Sequence, residues 1–564
     1  MSRADWIVLS TTLAGIIMYG IYKSRTKSNL DGYFLADRQM PWWLVLLSIM
    51  GTQASAITFL SLPGLAYTDG MRFVQFYFGL PLAMIVISAS FVPIFHKLKV
   101  YTAYEFLQQR FDLKTRTFTS FLFLLSRGIS TGASIYAPAI IMSSLMGWNI
   151  YWTNIFMGGL LIIYTVTGGA KAVAYTQQLQ LIIVFVGMFL AAYIVVHQLP
   201  EGVGFIDALK VGGAMGKMNV ITTGAHNGKY DWDDRYNLIN GIVAGFFLQL
   251  SYFGTDQSQV GRYLTAKSLK GSRIGLLMNG LVKIPMQFAI LLVGVLVFSF
   301  YQFHPTPLFF NESQLTKAKQ GPMGDSLRSI EATYNGLNKE RSAAATAYLQ
   351  SDGKNAAVVE NWKSIDRRGD TLRAVTKKLI RQTDRGADTN DTNYIFLRFV
   401  VDNLPKGLVG LLVAMIFLAS WGSIAAALNA LASTTVVDIH KQFIQKNLSE
   451  AQDYRVSKWY TLGWGLFSIV IAQFASNLGS LIEAVNILSA PFYGVILGIF
   501  LVAFYVKSVK GNALFYGAVV VELIILLMFW KSSIGYIWLS AIGALGVIVL
   551  SWLFQNLTQR RKAM

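Results

Sequence analysis

The chain has no cysteine and few charged residues. Without cysteine among its 564 residues, disulfide bonds, thiolate metal sites and cysteine nucleophiles are excluded. Its histidines are scattered and lack metal-ligand spacing; they are His96, His197, His226, His304 and His440. No G-x-S-x-G motif or phosphate-binding loop is present. We therefore predict that the protein is not an enzyme.

Hydrophobic residues dominate the composition. They make up 54% of the chain and charged residues only 14%, which indicates an integral membrane protein. The net charge of +19 does not require a nucleic-acid partner, because Lys and Arg collect in the cytoplasmic loops of membrane proteins. The apolar residues 4–22 precede no small-residue cleavage site, so we interpret them as a first span rather than a signal peptide.

Hydropathy predicts about thirteen transmembrane helices in a single transporter domain, residues 1–564, since about 20 apolar residues cross a bilayer. The predicted spans are 4–22, 42–66, 73–95, 117–146, 150–168, 174–197, 238–257, 274–301, 405–436, 459–475, 479–505, 512–529 and 533–555.

Basic residues concentrate in alternate loops, which predicts that these loops are cytoplasmic. They are Lys23, Arg25, Lys27, Arg38, Lys97, Lys99, Arg110, Lys114, Arg116, Arg262, Lys267, Lys270, Arg273, Lys441, Lys446, Arg455 and Lys458, with Arg560, Arg561 and Lys562 in the tail. With an odd number of spans, the N-terminus lies outside and the C-terminus in the cytoplasm. The predicted location is the cell (inner) membrane.

Two long polar segments then lie outside the membrane. The loop 198–237 contains the sequence DWDD, which lacks the spacing of a calcium-binding loop, so we expect it to be solvated. The insertion 302–395 shows helical spacing of apolar residues and predicts two amphipathic helices over the outer face. These residues are Leu327, Ile330, Tyr334 and Leu337, then Val358, Trp362 and Ile365.

The stretch 41–70 is long enough to span a bilayer, but small and polar residues occupy its centre. Its middle, residues 51–56, reads GTQASA, and Pro63 and Gly64 interrupt it again. Unpaired backbone is tolerated at membrane depth only where it lines a cavity, and freed carbonyls there coordinate cations in transporters. A tightly packed interface of small residues explains the pattern equally well.

A second span, 405–438, has a similar centre. Residues 419–427 read ASWGSIAAA, and we expect a bent helix whose carbonyls and hydroxyls suit Na⁺, a hard cation that prefers oxygen ligands. A packed small-residue interface is the alternative. Two such spans in one chain favour an ion site.

Three ionisable residues fall inside predicted spans, where each is costly. Lys283 and Glu483 either neutralise one another or contact a substrate. Arg127 lies roughly two turns from the cytoplasmic end of its span, so we expect it to extend toward that interface.

Several motifs together resemble the sodium:solute symporter family, which includes sodium–glucose, sodium–iodide, monocarboxylate, multivitamin, proline and sialic acid symporters. They are GYFLADRQMPWW (32–43), GTQASAITFLSLPG (51–64), TAYEFLQQRFD (102–112), SIYAPAI (134–140), TDQSQVGRYLTAKS (255–268) and LNALASTTVVDIHK (428–441). The resemblance implies an all-α membrane fold with inverted five-helix repeats of the leucine-transporter type plus extra helices.

The resemblance also implies a sodium site between the first and eighth core helices. Its ligands fall on Gly51, Ala54, Ala419, Gly422 and Ser423. Relatives often have two adjacent hydroxyl residues at the last two positions, so one hydroxyl ligand is missing here. Gln177 stands where the family commonly has an aspartate, which in some members serves an additional sodium site or a coupling network, so we predict no second sodium. No cofactor is implied apart from Na⁺ as the coupling ion.

The implied substrate contacts are Gln53, Ser55, Thr58, Tyr77, Gln249, Lys283 and Glu483, with Tyr252 and Phe253 as an aromatic gate. The carboxylate-binding arginine of the sialic acid branch aligns near Ser130, about one turn from Arg127. We predict a sodium-coupled symporter that imports a small polar solute, most readily a sugar or sugar derivative. The alternatives are a symporter of monocarboxylates or other organic anions, sialic acid included, and a non-transporting sensor with the same fold.

Overall fold

The computed structural model describes residues 1–23, 29–226, 228–351, 355–384, 387–475, 481–532 and 534–563. Two of the basic loop residues used for the predicted orientation, Arg25 and Lys27, lie outside these ranges.

The described chain is almost entirely helical. Its α-helices are α1 Arg3–Lys23, α2 Leu30–Leu35, α3 Trp42–Gln53, α4 Ala56–Asp69, α5 Leu80–Val86, α6 Val92–Leu98, α7 Glu105–Arg110, α8 Leu113–Met146, α9 Ile150–His197, α10 Phe205–Ala214, α11 Gly245–Thr255, α12 Gln257–Leu264, α13 Leu269–Phe303, α14 Glu312–Lys319, α15 Gly324–Gln350, α16 Ala356–Thr383, α17 Ile395–Asn403, α18 Leu408–Thr434, α19 Glu450–Ala472, α20 Leu481–Tyr505, α21 Gly511–Lys531 and α22 Trp538–Ala563. Shorter 3-10 or π turns continue several of them, and one hairpin pairs β1 (Ala225–His226) with β2 (Lys229–Tyr230).

Every predicted span overlaps at least one of these helices. Among the described residues, eight helices are long and apolar enough to cross a membrane, or nine when the bent pair α3–α4 counts as one span. The predicted spans 150–168 and 174–197 belong to one kinked helix, α9. Its kink lies at Gly169, where a φ of 59° falls in the region that favours glycine.

The small and polar centre of the stretch 41–70 is a true break between two helices. Helix α3 ends at Gln53, α4 begins at Ala56, and their axes differ by 60°. The second interruption predicted there is not formed, because α4 runs through Pro63 to Asp69. Pro63 lies inside this 14-residue helix, where the proline nitrogen cannot donate to the carbonyl of Phe59.

The bend predicted at residues 419–427 is wrong. Helix α18 continues without interruption from Leu408 to Thr434 and leads into a π-helical turn. Its centre is rich in alanine, the strongest helix former, and the Ser423 hydroxyl bonds back to the carbonyl of Ala419 at 3.1 Å. The small residues instead let α9 pack closely against both α18 and α3.

The insertion contains the two predicted helices, α15 and α16, which pack against each other. Leu327, Tyr334 and Leu337 are buried on α15, and Trp362 is fully buried on α16. The loop 198–237 is less solvated than we expected, since Asp234 is only 7% exposed. Its carboxylate binds Arg72 at 2.7 Å, which anchors the loop to the turn after α4.

Candidate functional site

A cavity of about 100 Å³ lies beside the α3–α4 break. It is lined by the end of α3 and by α4, the turn Met71–Tyr77, α8, α11, α18 and α20. Seven of the predicted site residues line it, namely Gln53, Ser55, Thr58, Tyr77, Gln249, Tyr252 and Ser423. The break therefore brings together residues from distant parts of the chain around one polar space.

Seven predicted site residues lie outside this lining. They are the sodium positions Gly51, Ala54, Ala419 and Gly422, the predicted contacts Lys283 and Glu483, and Phe253 of the gate. Phe253 is fully buried and packs behind Tyr252, with ring centroids 4.9 Å apart. Lys283 is also fully buried, 5.7 Å from the ring centre of Tyr77, so it stands behind the cavity wall. Among the described residues, its Nζ has no hydrogen-bond partner.

Glu483 and Lys283 do not neutralise one another, so the first of the two alternatives for this pair is wrong. Glu483 instead binds Arg235 at 3.1 Å and accepts a hydrogen bond from the Tyr236 hydroxyl at 2.7 Å. Its position at the start of α20 places it within reach of the loop before α11. Glu483 thus fastens this loop to α20 at one end of the bundle.

Arg127 lines the cavity rather than extending toward the interface. Its guanidinium forms an ion pair with Asp256, with Nε 3.1 Å from Oδ2, and lies 5.3 Å from the ring centre of Tyr252. The Tyr493 hydroxyl donates to the same carboxylate oxygen at 3.2 Å. A buried carboxylate partner holds the arginine inside the protein, because separating the two charges would leave each without a counter-ion.

The predicted sodium carbonyls of the first core helix are released by the break. In a continuous helix the N–H of Ser55 would donate to Gly51, but it donates to Gln53 at 3.1 Å. Similarly, the N–H of Thr58 donates to Ser55 rather than to Ala54. Carbonyls freed in this way are available to a cation.

The partner positions on α18 lie in a regular helix. The Ser423 hydroxyl donates to the carbonyls of Ala419 and Ser420, at 3.1 and 3.0 Å, which leaves its oxygen lone pairs free. Ser423 also faces the cavity. This arrangement offers one hydroxyl to a cation, and Gly422 beside it offers none.

Gln177 on α9 forms hydrogen bonds with both α3 and α18. Its Nε2 donates to the carbonyl of Gly422 at 3.1 Å and to the hydroxyl of Thr52 at 3.3 Å. Its Oε1 accepts from the hydroxyl of Ser48 at 2.9 Å. The side chain is fully buried, so a neutral carboxamide links α9 to α3 and α18.

The model of the sodium:solute symporter family matches residues 33–319 and 376–521. The chain belongs to this family. The family is one of sodium-coupled transporters, so the chain is a membrane symporter and not an enzyme, as predicted. The inner membrane and the orientation of the termini stay predictions.

Relatives of this symporter cover nearly the whole chain. The sodium/sialic acid symporter SiaT of Proteus mirabilis (strain HI4320) is 24% identical over 559 residues, spanning 97% of this chain and 93% of that protein. The sodium/glucose cotransporter of Vibrio parahaemolyticus is 22% identical over 526 residues, spanning 92% and 84%. The sodium-dependent multivitamin transporter of Oryctolagus cuniculus is 25% identical over 524 residues, spanning 88% and 66%.

A solved structure confirms the predicted fold. The substrate-bound, outward-open structure of a Na⁺-coupled sialic acid symporter matches with a TM-score of 0.75 at 22% identity. The match covers 99% of this chain and 98% of that one. The symporter therefore has the expected all-α transporter architecture.

Sequence analysis missed several lining residues. On α8 they are Thr131 and Ser134, on the same face as Arg127, which was expected at the interface instead. On α20 they are Asn486, Ser489 and Tyr493. Both sets follow spacings of three, four and seven residues, which mark one face of a helix. A search for polar residues at helical spacing within apolar spans would have found these two faces.

Proposed function

We propose that this sodium-coupled symporter imports a small polyhydroxylated solute, a sugar or a sugar derivative. The observation that carries the proposal is a set of buried polar atoms without partners in the cavity wall. Among the described residues, these are Oε1 of Gln53, Oε1 of Gln249 and Oγ of Ser489. Buried polar groups in proteins are nearly always paired, so a bound ligand is the expected partner.

The two carboxamide oxygens require hydrogen-bond donors from that ligand. Hydroxyl groups meet this need and also accept from the amide nitrogens and the serine hydroxyl. The rings of Tyr77 and Tyr252 add apolar surface of the kind that covers a small ligand. A neutral polyol matches this lining because it places donors and acceptors on every side.

The coupling cycle follows from the two adjacent sites. Na⁺ at Gly51, Ala54 and Ser423 would hold α3 against α18 and stabilise the outward-open state. Substrate would then bind at the break, and Tyr252 would close over it. Movement of one helical bundle against the other would expose both sites to the cytoplasm. The Na⁺ gradient would supply the work, since a ligand shifts the equilibrium only by its differential affinity for the two states.

An organic anion is the second candidate, and Arg127 favours it. Arg127 is the one charged side chain among the described residues of the cavity lining. A substrate carboxylate would replace Asp256 as its partner. Sialic acid combines this charge with hydroxyl groups, and symporters of sialic acid are among the relatives.

Thermal stability of the purified protein, measured in Na⁺ or K⁺ with a panel of sugars, polyols, sugar acids and monocarboxylates, tests the proposal. A ligand that binds the folded state raises the melting midpoint. We expect a neutral sugar or polyol to stabilise the protein in Na⁺ but not in K⁺, and Gln53→Ala to abolish this effect. Stabilisation by carboxylates alone would favour the second candidate.

Uptake into proteoliposomes then separates a transporter from a sensor of the same fold. With an inward Na⁺ gradient, the stabilising solute should accumulate inside the vesicles, whereas an equal K⁺ gradient should give none. Sodium-dependent binding without uptake would refute import.

A further inference from the structure

A second cavity lies between the insertion and the last turn of α4. Its volume is about 350 Å³, which is large enough for a small ligand. The wall is formed by α4, the segment after α10, α13, α15 and α16. Helix α15 and most of α16 fall between the two segments matched by the family model. This side of the cavity therefore lies outside the matched part of the transporter.

The second cavity is separate from the cavity beside the α3–α4 break. Thr68 lines the second cavity and Ser55 lines the first, and both belong to the same stretch of chain at the two ends of α4. Since a helix rises 1.5 Å per residue, the two positions are about 20 Å apart. A ligand in the second cavity would not touch the residues of the proposed substrate site.

Basic side chains outnumber acidic ones in the wall of the second cavity. Arg341 is paired with Asp366 at 2.9 Å. Arg373 and Lys377, both on α16, share the single carboxylate of Asp391. One positive charge in this group is therefore left without a carboxylate of its own.

Lys217 is a further cation of the same wall, and it forms no ion pair with a carboxylate of the described residues. Its Nζ donates to the carbonyl of Thr68 at 2.5 Å and lies 5.2 Å from the ring centre of Phe298. Burial lowers the pKa of Lys217 below its ordinary value, so its charged form would gain from a nearby anion. The remaining carboxylate of the wall belongs to Asp370, which is exposed.

Lys217 and Lys377 both keep free donors that can serve a ligand. A lysine ammonium carries three N–H donors. Among the described residues, Lys217 uses one on Thr68, and Lys377 uses one on Oδ1 of Asp391 at 2.8 Å. The two ammonium groups line one cavity from different segments, so one anion with several acceptor oxygens can bind to both.

We propose that this cavity binds a small organic anion whose carboxylate bridges Lys217 and Lys377. The rings of Tyr67 and Phe298, with centroids 5.4 Å apart, offer apolar surface to the rest of the ligand. Because Lys217 is bonded to the last turn of α4 and Lys377 belongs to α16, the bound anion joins the insertion to α4. This site does not depend on the proposed function.

Melting midpoints of the purified protein, titrated with benzoate, glucuronate or inorganic phosphate at constant ionic strength, test the proposal. A ligand that binds the folded state raises the midpoint. We expect benzoate and glucuronate to do so equally in Na⁺ and in K⁺, because the proposed sodium positions lie at the α3–α4 break and on α18. This independence from Na⁺ distinguishes the effect from that of a transported substrate.

Two lysine substitutions locate the effect. Lys217→Gln and Lys377→Gln should each raise the half-saturating benzoate concentration about tenfold or more, because each removes a hydrogen bond from a charged donor. Lys378→Gln is the matched control, since Lys378 is the next residue on α16 but is exposed and does not line the cavity. Asp370→Asn should lower the half-saturating concentration about twofold, because it removes an exposed negative charge beside the ligand.

An unchanged benzoate titration in both lysine variants would overturn the proposal and would assign the anion effect to another part of the protein. If Lys217→Gln does not fold, Lys377→Gln gives an independent measurement, and the tighter binding expected of Asp370→Asn cannot arise from damage to the fold. The absence of any response to benzoate and glucuronate in the wild-type protein would also overturn the proposal. Stabilisation by phosphate but by neither carboxylate would refute an organic anion as the ligand.

Discussion

Replacing Asp256 with asparagine tests the charge balance of the cavity. The Asp256 side chain is 1% exposed and that of Arg127 11%, so the pair is almost fully removed from water. Asparagine has the same shape and retains an acceptor for the N–H of Ser258, which Oδ1 now binds at 2.8 Å. The substitution therefore removes the negative charge and leaves the start of α12 capped.

The expected cost follows from the burial of this pair. Removing one partner of a buried ion pair typically costs about 3–5 kcal/mol, because the other charge is left uncompensated. We expect about 3 kcal/mol for Asp256→Asn, at the lower end, since Arg127 faces a cavity into which water or an anion can enter. The melting midpoint should fall clearly.

An added anion should reverse part of this loss. With Arg127 unpaired, a small carboxylate such as acetate or lactate gains a binding partner in Asp256→Asn. At about 100 times its Kd, such a ligand would return about 2.7 kcal/mol. The wild-type protein should respond much less, because Asp256 already neutralises the arginine.

Melting curves of both proteins in chloride, acetate and lactate at equal ionic strength measure the effect. Asp325→Asn is the matched control, because the Asp325 side chain is fully exposed and its loss should change the midpoint little. Equal stability of Asp256→Asn and wild type would refute the assigned role of this pair. An equal anion response in both proteins would refute the neutralisation of Arg127.

Other substitutions test separate parts of the structure. Burial raises the pKa of Asp388, in the segment after α16, from 3.8 to about 7. The folded state therefore holds a proton that the unfolded state releases. The free energy of unfolding should fall as pH rises from about 4 to 7, by up to about 1.4 kcal/mol per pH unit. Asp388→Asn should reduce this pH dependence in melting curves. Lys283→Met should raise the melting midpoint, because it removes a buried amine that has no hydrogen-bond partner among the described residues, and a lower midpoint would contradict that reason. Glu483→Gln should cost less than about 1 kcal/mol, since Arg235 is half-exposed and such pairs are weak, and should leave substrate affinity nearly unchanged in binding assays. Gly51→Ala should destabilise the protein by about 1–3 kcal/mol, because the new Cβ would lie 2.9 Å from Cβ of Gln177; an unchanged midpoint would contradict this close approach.

The sequence by itself determined the class of protein and the place of its site. Apolar runs of bilayer length require helices in a membrane, and the polar residues 51–56 within such a run predicted the break that the structure contains. The ordered motifs predicted the family. These features are local, so a linear pattern is sufficient to reveal them.

Only the tertiary structure decided which partners the buried charged and polar groups have. Arg127 and Asp256 are 129 residues apart, and Glu483 is joined to Tyr236 across 247. Helical periodicity predicts which residues share a face, but it does not predict which neighbouring helix that face packs against. The same holds for Gln177, whose hydrogen bond to the carbonyl of Gly422 depends on how tightly α9 and α18 pack, a distance that no spacing along the chain encodes.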